Sequence, residues 1–254
     1  MTGAVRRRSY AEATPRERIA ALTHAGSFRE MIDPFVRMRS PHLPAHGLVA
    51  QSDDGVIAGR ARVGTRDVAV AAIEGRFLGG SLGEIGGAKM ACVLEFARDG
   101  ALLLLDTGGI RLQEANLGIL AVAEICDAII ALRERAPVVA VIAGRIGCYG
   151  GLSIAASLCS AIIMTEGARF GLNGPEVVEQ EAGVAELDAR DRPTIWRLTG
   201  GTRRVAQGHA DVLVDDDLEA VRAAVDAAFA APRNRERLAL ERLRVAVDEA
   251  AERS

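Results

Sequence analysis

Two short stretches of the chain carry the residue types from which a charge-stabilising site can be built. One is Asp106-Thr107-Gly108-Gly109-Ile110-Arg111-Leu112-Gln113-Glu114, the other Gly144-Arg145-Ile146-Gly147-Cys148-Tyr149-Gly150-Gly151-Leu152-Ser153. Each follows an aliphatic run with the composition of a buried strand and opens a helix-like pattern. Glycine admits positive φ and lets a ligand approach the backbone, and amides at a helix start have no carbonyl partner. Two such turns side by side could offer two converging N–H donors to one developing oxyanion. Loss of one donor of that kind typically costs about 3 to 4 kcal/mol in the barrier. The plainer alternative is that paired glycines only let helices pack tightly on strands.

Other chemistries lack their parts. No Walker sequence occurs, the only lysine is Lys89, and Gly79 to Gly87 fails the spacing of a dinucleotide fingerprint. Cys92, Cys126, Cys148 and Cys159 show no C-x-x-C spacing, which argues against a zinc ribbon or a disulfide framework and fits a reducing cytoplasm. Cys148 and Ser153 stand where a nucleophile could, yet neither lies in a G-x-S-x-G elbow. His24, His42, His46 and His209 all fall outside the glycine motifs and read as solvated or structural. Formal charge is −3 with no dense basic block, so nucleic acid is not an expected partner. No apolar run reaches the roughly 18 residues of a membrane span, and the Arg6-Arg7-Arg8 start is not followed by the apolar core of a signal peptide.

The elements that must position these turns follow from periodicity. Residues 14 to 32 read as a helix with Thr14 as N-cap, Pro15 at the first position and Glu17 completing a capping box. A loop through Pro41, His42, Pro44 and His46 leads to short strands over 47–50, 55–63 and 67–73. A helix is expected over 88–97, a buried strand over 101–105, an amphipathic helix over 117–135, a strand over 137–143, a helix from Gly150, and strands over 161–165 and 168–171. A short polar segment follows Gly200, then helices near 217–230 and 234–252. Strand, glycine turn, helix and strand in repetition mark a layered α/β domain with parallel crossovers. Periodicity alone does not choose between a doubly wound sheet and a ββα spiral.

At the turns the chain resembles a known family. Gly79-Gly80-Ser81-Leu82-Gly83, the run 106 to 114 and Cys148-Tyr149-Gly150-Gly151 are similar, in order and spacing, to the amino-terminal half of biotin-dependent acyl-CoA carboxyltransferases. Leu105 to Asn116, Phe170 to Glu179 and Asp188 to Gly201 with the lone Trp196 more closely resemble the beta subunit of biotin-independent malonate decarboxylase. The resemblance spans roughly residues 10 to 215.

It implies a crotonase-like ββα spiral of the α/β class, a single domain with helical appendages: an amino-terminal helical segment over 1–45, the carboxyltransferase-type domain over 46–215, and carboxyl-terminal helices over 216–254. By matched positions the oxyanion donors would be the amides of Gly109 and Ile110 and of Gly151 and Leu152, with Gly108, Arg111, Gly150, Asn173 and Gly174 lining the substrate site. The implied activity is decarboxylation of a malonyl thioester on an acyl carrier protein, in the cytoplasm. No cofactor is expected to bind tightly, because the substrate arrives on the carrier's phosphopantetheine arm. A homologous gamma subunit would complete a hetero-oligomer. Arg111 could orient the substrate carboxylate or hold its loop by bidentate pairing. Trp196 with Arg192 and Arg197 could anchor a partner or lie in the core, and Arg60, Arg62 and Arg66 could meet coenzyme phosphates or solvent. The same turns also admit a carboxyltransferase subunit of a biotin-dependent carboxylase or decarboxylase, a serine peptidase using Ser153, and a non-catalytic scaffold.

Overall fold

The computed structural model describes residues 8 to 231 apart from 34 and 115. Seven strands form one sheet in chain order: β1 (Arg29–Glu30), β2 (Val56–Val63), β3 (Arg66–Ile73), β4 (Ala101–Leu104), β5 (Val138–Ile142), β6 (Ala161–Thr165) and β7 (Val212–Val214). The first three pair antiparallel and β3 to β7 pair parallel. Parallel neighbours require crossovers, and helices supply them: α2 (Glu84–Glu95), α3 (Asn116–Arg133), α4 (Gly151–Ser157), α5 (Pro175–Ala182), α6 (Arg192–Thr199) and α7 (Gly201–Ala206). Helices α1 (Pro15–Leu22) and α8 (Leu218–Ala230) complete the set.

The period-two alternation of the strands sorts the core into two layers. Ala69, Leu103, Ala140 and Met164 face α2, α3 and α4, where Met90, Leu94, Ile125, Ile129 and Leu152 are buried. Val70, Leu102, Val139, Val141 and Ile163 face the other way, onto Ile19 and Leu22 of α1 and Val221, Val225 and Phe229 of α8. Helix on sheet on helix is the layering expected of an α/β spiral.

Several expected elements change. The Thr14 capping box is present, but the helix stops at Leu22 rather than 32. Thr23 Oγ1 donates back to the Ile19 carbonyl at 2.8 Å, and the His24 amide donates to Arg62 O, drawing the chain onto the sheet. Part of the segment expected to be helical therefore supplies edge strand β1, opposite Gly59 and Arg60. Residues 47–50 form no strand. Instead a 3-10 turn over Leu43–His46 closes at Gly47, with φ +68°. Residues 168–171 make single bridges, Phe170 to Cys148 and Arg169 to Gly200, and not a strand of the sheet. The polar stretch after Gly200 contains α7 and β7, too short for a periodicity signal. The helix expected over 234–252 lies outside the described residues. Among the described residues no helix is long and apolar enough to cross a membrane.

Candidate active site

Strand β4 delivers Asp106 and strand β5 delivers Gly144, so the two glycine turns leave neighbouring strands at the same end of the sheet. A parallel bridge between Thr107 and Cys148 locks them together: the Thr107 amide donates to Gly147 O at 2.8 Å and the Tyr149 amide to Thr107 O at 3.0 Å. Beyond the bridge the turns touch at their backbones. A Cβ built on Gly150 would lie 2.9 Å from the Gly109 Cα and 3.6 Å from the Ile110 nitrogen. Gly150 holds φ +63° and ψ −149°, and Gly109 φ +117°, conformations that favour glycine.

Hydrogen bonds decide which amides remain available. Gly109 N–H donates to Thr107 Oγ1 at 3.0 Å, Gly108 N–H to Gly79 O at 2.8 Å, and Gly150 N–H to Leu172 O at 2.7 Å. The expected Gly109 donor is therefore occupied, a correction that follows from the Thr107 hydroxyl capping its own turn. Among the described residues no acceptor pairs with the amides of Ile110, Gly151 or Leu152.

Asp106 braces the second turn from the first. One carboxylate oxygen accepts from the Ile146 amide at 2.8 Å and the other from Arg18 Nη1 at 3.1 Å. The Arg18 guanidinium also stacks on Tyr10, 4.6 Å from the ring centroid, so the amino-terminal helix reaches into the corner of the site. A side chain on Gly144 would collide with the Asp106 carboxylate.

Arg111 has no exposed surface. Its Nη1 lies 2.8 Å from both Asp54 Oδ1 and Glu114 Oε1, and Nη2 donates to Ser81 O at 3.0 Å. Glu114 accepts in addition from Ser40 Oγ and from the Glu84 amide, each at 2.6 Å. This corrects the expectation of a substrate contact: the guanidinium is fully buried, its Nη1 is shared by two carboxylates, and it holds the loop, while its Nε has no acceptor among the described residues. Burial alone pushes the Glu114 carboxyl up, but the bonds from Ser40, the Glu84 amide and Arg111 bring it below its ordinary value. For Asp54 burial outweighs the same arginine and the carboxyl is raised. Asp54 holds two donor groups, Arg111 and the Gly86 amide, which do not offset its burial, whereas the three on Glu114 do.

A cleft of about 240 Å³ runs beside α4, lined by Ser153, Ile154, Phe170, Leu172 and His209 among others. The segment from Arg169 to Leu172 clamps the second turn: Cys148 N–H donates to Arg169 O at 2.9 Å, and Leu172 O takes the Gly150 amide. Exposed Asn173 and half-buried Gly174 follow directly, Gly174 as the N-cap of α5 with Pro175 at its first position. His209 is distant in sequence from both glycine motifs, and the crossover through α5, α6 and α7 brings it to this cleft just before β7. Periodicity held no signal for that. Cys148 is fully buried and its thiol is pushed well up by desolvation, the opposite of an activated nucleophile. Ser153 Oγ donates to Gly150 O at 2.7 Å. Trp196 is half-buried, neither core nor fully exposed, and its indole N–H donates to Gly167 O at 3.0 Å. Arg60 and Arg62 are exposed along β2.

Paired glycine turns at the ends of adjacent parallel strands, in a ββα spiral, define a carboxyltransferase-type domain of the crotonase-like class. The carboxyl transferase domain model matches residues 6–251, and the chain belongs to that family. It is 39% identical over 243 residues to the malonyl-S-ACP:biotin-protein carboxyltransferase of Malonomonas rubra, covering 89% of this chain and 76% of that protein. Among solved structures it is similar to a subunit of a Pseudomonas malonate decarboxylase hetero-tetramer in complex with malonate, with 54% identity and a TM-score of 0.87 over 91% of this chain and 88% of that one. The Pseudomonas malonate decarboxylase hetero-dimer is also similar, at 48% identity and a TM-score of 0.76, over 93% and 96% of the respective chains. The acetyl-coenzyme A carboxylase carboxyl transferase subunits beta/alpha of Salinispora arenicola are 32% identical over 65% of this chain, which spans only 32% of their length.

Proposed function

We propose that this chain is the beta-type subunit of a malonate decarboxylase, acting on a malonyl thioester carried by an acyl carrier protein. Heterolysis of the bond between the carboxylate carbon and C2 releases CO2 and leaves its electron pair on C2, as the enolate of the acetyl thioester. The enzyme must then hold negative charge on the thioester oxygen and return one proton to C2. It need not extract a carbon-bound proton, so the reaction calls for donors to an oxyanion and not for a strong base. The observation that carries the reading is the backbone contact of Gly109 and Gly150, with the unpaired amides of Ile110 and Gly151 on the residues that follow. In a pocket closed to water, two such donors act without reorganisation cost.

A second, homologous subunit would complete the site. Leu112, Ile119, Ile154 and Leu172 are exposed apolar side chains on or beside the elements that carry the turns, surface of the kind a partner covers. The similar Pseudomonas proteins are hetero-oligomers by name. Co-expression with a homologous second subunit should give CO2 release from malonyl carrier protein above either subunit alone, and no such release rejects the reading.

A second reading passes the carboxyl group to biotin, the acceptor named for the Malonomonas relative. It uses the same enolate and differs only in the fate of the carboxyl group. Avidin separates the two: decarboxylation without biotin is insensitive to it, whereas transfer to a biotin protein is blocked.

A further inference from the structure

On the far side of the second turn lies a larger cavity, of about 470 Å³, at the carboxyl ends of β5 and β6. Its volume falls within the roughly 300–1,000 Å³ common for small-molecule sites. Its wall carries Arg169, Arg192 and the indole of Trp196. The two guanidinium carbons stand 4.8 and 5.1 Å from the centroid of that one ring. Holding two cations on one indole sets them against each other, a cost that an anion between them reverses.

No carboxylate among the described residues neutralises either guanidinium. Among the described residues, neither Arg169 nor Arg192 forms an ion pair. Arg169 is fixed by one bond, Nη2 to Arg145 O at 2.8 Å, and its buried Nε has no acceptor among the described residues. The carboxylates on the rim are engaged elsewhere. Glu12 pairs with Arg145, while Asp216 accepts from Ser9 Oγ at 2.6 Å and from the Ala11 amide at 2.9 Å. A neighbouring acidic cleft, lined by Glu166, Asp215 and Asp216, shares Trp196 and would hold an anion to the arginine side.

We propose that this cavity binds the oxyanion group of a small ligand, a phosphate or a carboxylate, between Arg169 and Arg192, with the body of the ligand against Trp196. The cavity borders Gly144 and Arg145 at the start of the second turn but is not lined by Gly109, Ile110, Gly150 or Gly151, and the proposal does not depend on the thioester reading. Guanidinium geometry suits either oxyanion through paired N–H donors.

Trp196 is the chain's only tryptophan and lines both this cavity and the acidic cleft beside it, so its emission reports on these two places, and R192M assigns a response to the arginine side. Inorganic phosphate and succinate are titrated separately into the full chain at constant ionic strength, with chloride as the control. We expect a saturable change in emission with at least one of the two, and the stronger response tells which oxyanion the site takes. R192M, on an exposed side chain, should weaken the apparent affinity at least about tenfold, with R192K recovering part of it. R169M should do the same if it folds; R192M keeps the test decisive if it does not. A response no larger than chloride gives, or one unaffected by R192M, overturns the proposal.

Discussion

Arg18 of the amino-terminal helix and Asp106 at the end of β4 form a buried ion pair of 3.1 Å, in the one place where the first glycine turn, the approach to the second and the helix all meet. The other carboxylate oxygen holds the Ile146 amide, so a single side chain ties the geometry of both turns to a helix residue 88 positions away. R18M leaves a buried carboxylate without its cation and should cost about 3–5 kcal/mol. The melting temperature should fall by at least about 6 °C for a chain of this size. The double variant R18M/D106N, followed by urea unfolding, should recover more than about 1 kcal/mol of the summed single losses. Additive losses would mean that the pair is not coupled.

Substitution at Gly150 tests the contact between the turns. G150A places a side chain in a conformation that disfavours one and against the Gly109 backbone, which cannot yield. A loss of about 10²–10³ in kcat is expected from a displaced oxyanion donor, with a stability cost of about 1–3 kcal/mol. G167A, where a Cβ meets nothing within 4 Å, is the control and should change stability by less than about 0.5 kcal/mol. Wild-type turnover in G150A would remove the support for the proposed site.

The Arg111 cluster predicts a pH dependence of stability. The Glu114 carboxyl lies below its ordinary value in the folded chain, so the unfolded chain takes up a proton first as pH falls. Its stabilising contribution is therefore fully present above the unfolded value of about 4.3 and is lost as pH drops through the lower folded value. E114Q should cost about 3 kcal/mol at pH 7, and the gap to wild type should narrow below about pH 4 in urea titrations. Asp54, raised by burial, contributes with the opposite sign, so D54N should not narrow the gap in acid.

Covalent chemistry at the second turn is expected to be absent. S153A should retain turnover, whereas loss of a true nucleophile lowers kcat by about 10⁴-fold or more. In the native protein a thiol reagent should modify half-exposed Cys92 and Cys126 and spare Cys148, whose thiol is buried and pushed up. Rapid labelling of Cys148, read by mass spectrometry, would contradict the packing described.

Local signals located most of the sheet and both turns. The runs that became β4, β5 and β6 are continuous aliphatic stretches, and each of the two motifs begins within two residues of its strand's end. The Thr14 capping box is likewise local chemistry, and it formed as the side chains dictate. Edge strands β1 and β7 were not legible, because two or three residues carry no period and gain their hydrogen bonds only from a neighbour already in place. The same holds for the early end of α1, set by the His24 amide reaching Arg62 across the sheet.

The amino-acid sequence by itself determined the α/β class, the two glycine corners and the family they resemble, since these rest on propensity and spacing within a few residues. Tertiary structure alone decided that Gly109 spends its amide on Thr107, that Arg111 is enclosed by Asp54 and Glu114, and that His209 comes back to the cleft at α4. Those outcomes depend on which distant groups are brought within hydrogen-bonding distance, and only the packed chain specifies such distances.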